Sequence, residues 1–72
     1  MSGYEVGTIV YWEGGKGTVK GKIRERFEDD VTRTIKGTKV THKASELEPA
    51  YLIVQEDGDE VLKSHSDIEA TD

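Results

Sequence analysis

Seventy-two residues, 33% of them hydrophobic and none of them cysteine, are enough for one domain with one compact core, and they exclude disulfides, thiolate metal sites and thiol chemistry. The net charge of −5 weighs against tight nucleic-acid binding, and no apolar run approaches the roughly 20 residues that a membrane span needs. With no staples and no signal segment, the chain is expected to be a cytoplasmic monomer or weak dimer that does not associate with membranes. A single core of this size supplies only about 3–5 kcal/mol.

The charge is unevenly spread. Residues 16–43 carry nine Lys or Arg against four acids, and residues 44–72 carry one Lys against nine acids. Such asymmetry either sets a basic binding face beside an acidic flank or brings two halves together that neutralise each other.

Helical periodicity is absent, and apolar runs of four to six residues alternate with turn signals, which is an all-β pattern. Thr8 to Trp12 reads as the first strand, followed by a turn at Glu13-Gly14-Gly15-Lys16. Thr18 to Phe27 alternates: Val19, Gly21, Ile23 and Phe27 take one side, and Lys20, Lys22, Arg24 and Arg26 take the other. Glu25 is the exception on the apolar side, and Gly21 is where a strand this long is expected to bend.

After the acidic loop Glu28-Asp29-Asp30, Val31 to Ile35 and Lys39 to Lys43 flank Lys36-Gly37-Thr38, as a hairpin or as one bulged strand. Ser45-Glu46-Leu47-Glu48 has capping-box spacing, but Pro49 leaves room for one helical turn. Tyr51 to Glu56 and Asp59 to Ser64 flank Asp57-Gly58, which predicts a hairpin with a primed turn. Ser66-Asp67-Ile68-Glu69 predicts a last short turn with Ile68 inward, and Met1–Gly3 and Thr71–Asp72 are expected to fray.

Five to six short antiparallel strands with one-turn helical links predict a small, partly open barrel. It forms a single domain over 1–72, with an ordered core over about residues 5–69. Ile9, Val19, Ile23, Ile35, Val40, Leu52, Val54, Val61 and Ile68 are the expected core.

Two elements carry a resemblance. The first is Val10-x-Trp12 with the Gly14, Gly15, Gly17 and Val19 cluster, and the second is Ala44-Ser45 leading to Pro49-x-Tyr51-Leu52. In this order and spacing they are similar to the hypervirulence-associated protein family with a Tudor-type domain, a small bacterial and fungal family of unknown function. The resemblance implies a Tudor-like or SH3-like barrel. It departs at Lys63-Ser64, where the family pattern has a His-Lys pair. A Tudor fold also raises methyl-lysine binding, which needs three or four aromatic walls around a cation. Tyr11 and Trp12 point to opposite faces of their strand, so they cannot wall one pocket.

Catalytic chemistry is not expected. No Gly-x-Ser-x-Gly elbow presents a nucleophile near His42 or His65, and Gly14-Gly15-Lys16-Gly17 lacks phosphate-loop spacing and leads into a strand. The two histidines lie apart, and the acidic loops lack a complete calcium-ligand pattern, so no metal or cofactor is expected. Two binding functions stand. One is a protein-interaction module using Tyr11, Trp12, Phe27 and Tyr51. The other is a weak nucleic-acid or polyanion binder using Lys20, Lys22, Arg24, Arg26, Arg33 and Lys39, whose side chains two apart repeat every 6.6–6.8 Å or so along a strand.

Overall fold

The computed structural model describes residues 3–70, and its centre is the apolar run Ala50-Tyr51-Leu52-Ile53, buried at all four positions. Uninterrupted apolar sequence of this kind suits a strand covered on both faces. The strands are β1 (Ile9–Gly14), β2 (Gly17–Phe27), β3 (Val31–Ile35), β4 (Thr38–His42), β5 (Ala50–Gln55), β6 (Glu60–Ser64) and β7 (Glu69–Ala70). Five form an antiparallel sheet in the order β6-β5-β2-β1-β7, and β3 and β4 form a separate hairpin. The fold is therefore all-β, a small Tudor/SH3-like architecture whose barrel does not close. Among the described residues the only helical element is one 3-10 turn, His65–Asp67, and no helix is long and apolar enough to cross a membrane.

Each face of the large sheet builds its own core. On the first face Val10, Trp12, Ile23, Tyr51 and Ile53 pack under Ile68, with Tyr4, Val19, Val61 and Ala70 around them. On the second face Ala50, Leu52 and Leu62 pack against Val31, with Phe27, Ile35, Val40 and Ala44 at the margins. The second face is thus covered by the β3–β4 hairpin. Lys36 and Gly37 both have positive φ, 51° and 79°, the conformation of a two-residue primed turn. The segment is a hairpin and not one bulged strand. At Asp57-Gly58 the turn is wider than the primed form, with Gly58 N–H donating to the Gln55 carbonyl at 2.9 Å and Gln55 N–H to Asp59 at 2.7 Å.

The bend of β2 lies three residues beyond Gly21. Ile23 pairs with Ile53 and Glu25 with Leu52, so Arg24 is an extra residue in a β-bulge. The bulge reverses the parity of the strand. It puts Glu25 and Phe27 on the second face and Arg26 opposite Tyr51 on the first. Gly21 serves a different purpose: a Cβ there would collide with Ile53 Cγ2 and lie 3.0 Å from the Val54 carbonyl oxygen.

Of the expected core, Ile23, Leu52 and Ile68 are buried, and Val19, Ile35, Val40 and Val61 pack at the margins of the two clusters. Ile9 is 42% exposed and Val54 is half-buried. Both lie on the second face, beyond the hairpin's cover, while Val10 and Ile53 take the fully buried places. Ser45 caps as its spacing predicts, with its Oγ accepting from Glu48 N–H at 3.1 Å, but the segment makes an irregular turn instead of a helical one. Gly3 is half-buried, and the fraying expected of Met1, Ser2, Thr71 and Asp72 lies outside the described residues.

Candidate functional site

The uncovered part of the second face is the candidate site. Register places Tyr11 beside Lys20 and Ile9 beside Lys22, and Lys22 is in turn paired with Val54. Paired residues share a face and stand about 4.5–5.5 Å apart at Cβ, so Ile9, Lys22 and Val54 form one rung across three strands. Around this rung lies a groove of about 290 Å³ lined by Ile9, Lys20, Lys22, Val54, Gln55 and Glu56. A second hollow of about 400 Å³ adjoins it, sharing Lys22 and Val54 and adding Val6 and Arg24. Val6 is 61% exposed.

The hairpin stops short of this surface because it is held elsewhere. Lys36 at its tip meets Asp59 at 2.7 Å, and this carboxylate raises the lysine's pKa above its ordinary value. Arg33 reaches Glu25 at 3.4 Å with its guanidinium 4.9 Å from the Phe27 ring centre. At the base, Ala44 N–H donates to Asp30 Oδ1 at 3.2 Å.

Of the aromatic candidates, Tyr11 and Trp12 both line one hollow of about 590 Å³ with Lys63 and Asp67, against the expectation that they wall no common pocket. Phe27 and Tyr51 lie apart from it. Tyr11 is half-buried on the second face, beside Lys20. Trp12 is in the first core, with Lys63 Nζ 5.6 Å from its ring centre. Phe27 lies beneath the hairpin, and Tyr51 is fully buried and offers no surface. Sequence reading missed the cluster that Tyr51 does join. Its hydroxyl accepts from Tyr4 N–H at 2.8 Å and is 3.0 Å from His65 Nδ1, while the Tyr4 and His65 rings are 4.7 Å apart. Burial raises the Tyr51 pKa. This is a packed cluster that ties both ends of the chain to β5, and no linear spacing signals it.

The basic candidates divide in the same way. Lys20 and Lys22 are exposed on the second face and have no ion pair among the described residues. Arg24, in the bulge, is 3.2 Å from Glu60. The bulge carries Arg26 away from the ladder to the first face, where it meets Glu28 at 2.8 Å. Arg33 is held by Glu25, and Lys39 stands on β4 opposite Thr34. The unbroken ladder read from alternation is therefore two lysines and a salt-bridged arginine. Among the described residues no three His, Asp or Glu side chains gather where they could hold a metal ion.

An antiparallel sheet with a core on each face, one of them capped by a hairpin that leaves part of it open, defines a small Tudor-like domain. A family model described as hypervirulence associated proteins Tudor domain matches residues 7–68, and the chain belongs to that family. No curated protein and no solved structure matches it.

Proposed function

We propose that this domain is a non-catalytic protein-interaction module that docks its partner on the open part of the second face. The observation that carries this is the exposure of Ile9, 42%, in a groove it shares with Val54. Aliphatic surface left in water is worth about 25 cal/mol per Å² to whatever covers it. The rest of the second face is already covered by the chain itself. Of the four aromatic candidates, Tyr11 alone adjoins this groove.

Selection from a random peptide library tests the proposal, with Ile9→Asp and Leu47→Ser as paired variants. Leu47 is 82% exposed and lies outside the groove. Selected peptides should lose binding to Ile9→Asp and keep it for Leu47→Ser. Ligands indifferent to Ile9→Asp, or no ligand at all, would overturn the proposal.

A further inference from the structure

Resting on that docking face, we infer that its partner is an extended peptide segment that presents two carboxylates and flanking aliphatic side chains on one face. The inference comes from how charge is distributed across the groove. Arg24, Arg26, Arg33 and Lys36 each have a carboxylate within 3.4 Å supplied by the fold. Six lysines have none among the described residues, and of these Lys20 and Lys22 are the two that stand between the apolar groups of the groove. Lys22 separates Ile9 from Val54 within one rung, and Lys20 sits beside Tyr11 one rung further along that face.

A partner must therefore meet two ammonium groups and an aliphatic floor together. Carboxylates two apart on an extended segment repeat at about 6.6–6.8 Å, which is the spacing of Lys20 and Lys22 on β2. Branched apolar side chains two residues before or after those carboxylates share their face and would cover Ile9, Val54 and Val6. In a chain of net charge −5, two lysines beside these apolar groups also orient an acidic partner toward that surface and away from the rest.

A nucleic acid fits less well. Glu56 lines the groove and Glu60, held by Arg24, pairs with Val54; these carboxylates oppose a phosphate chain and an acidic peptide alike, so the distinction rests on stacking. Aliphatic Ile9 and Val54 give bases little to stack on, and among the described residues Tyr11 is the only aromatic on the open part of the second face.

The test titrates the isotope-labelled full chain with four probes, following the backbone amides of Ile9, Lys20, Lys22 and Val54. The probes are a short peptide Val-Ser-Glu-Ser-Glu-Ser-Val, which carries its Val and Glu side chains on one face when extended, its Glu→Gln and Glu→Lys versions, and oligothymidine. The Glu peptide is expected to move these amides and to bind roughly three- to tenfold more tightly than the Gln peptide at low salt, the difference that two exposed ion pairs supply. In Lys20→Glu/Lys22→Glu the preference should reverse toward the Lys peptide, with the circular dichroism spectrum unchanged. Equal binding of Glu and Gln peptides at these amides would overturn the acidic partner while leaving the docking face in place. Tighter binding of oligothymidine with a steep salt dependence would replace the peptide by nucleic acid. Movement of these amides with protein concentration alone would assign the face to a second copy of the chain. If no probe moves them, both the acidic partner and the docking face are overturned.

Discussion

The Tyr51 hydroxyl accepts the backbone N–H of Tyr4 at 2.8 Å, so a residue near the start of the chain is bonded to the central strand of the sheet. The same oxygen is 3.0 Å from His65 Nδ1, and one buried phenol thereby orders both ends of the domain. Tyr51→Phe should cost about 1–3 kcal/mol, because it leaves a part-buried N–H and an imidazole nitrogen without their partner. Burial holds the Tyr51 pKa above its ordinary value of 10.0. The unfolded chain therefore loses its phenolic proton first as pH rises, and wild-type stability should fall above about pH 10. Denaturant melts across pH 7–11 check this, and Tyr51→Phe should lose Tyr51's share of the alkaline decline.

Gly21→Val should destabilise the domain although it raises strand propensity. The new side chain would enter the space held by Ile53 Cγ2, with the Trp12 ring 3.4 Å from its Cβ. A loss of about 1–3 kcal/mol is the usual cost of overpacking. Equal or greater stability in urea would show that the first core can yield there.

Arg26 and the lysines of the same strand should behave differently. Arg26 packs on the first face with its side chain 23% exposed and its guanidinium 2.8 Å from Glu28, whereas Lys20 and Lys22 are exposed. Arg26→Gln should cost about 1 kcal/mol through lost packing and pairing. Lys20→Gln and Lys22→Gln should stay within about 0.5 kcal/mol of wild type. Thermal melts of the three single variants decide it, and equal losses would contradict the parity change at the bulge.

Glu48 links two turns. Its carboxylate accepts the Ser66 N–H at 3.0 Å, and hydrogen bonding from the Ser66 hydroxyl first and then from that N–H lowers its pKa below the ordinary 4.5. A carboxyl group with a depressed folded-state pKa stabilises the fold above its ordinary value and ceases to do so as pH falls through the depressed one. Glu48→Gln should therefore be less stable than wild type at pH 7, with the gap closing below about pH 4.5. Paired melts at pH 7 and pH 3 measure the gap, and a gap that persists at pH 3 would mean that the charge is not what matters.

Alternation and turn residues by themselves determined that this chain is an antiparallel β domain. A strand whose side chains alternate, and a glycine where the chain must reverse, act through local sterics that any window of sequence carries. The run from Ala50 to Ile53 even marks the central strand, since a strand covered on both faces has no place for a polar residue. Glu25 also left a trace of the bulge: it was the one residue that broke the pattern of β2. Alternation divides residues between two faces, but it does not say what covers each face. Ile9 and Val54 read as core because they are aliphatic, and they stand partly in water because the hairpin is fastened to Asp59 and Glu25 and stops before them. The union of Tyr4, Tyr51 and His65, the diversion of Arg26, and the meeting of Lys20 and Lys22 with Tyr11, Ile9 and Val54 are likewise contacts between distant segments. Only the tertiary structure could decide them, because cross-strand register and the docking of one sheet on another depend on the whole chain at once.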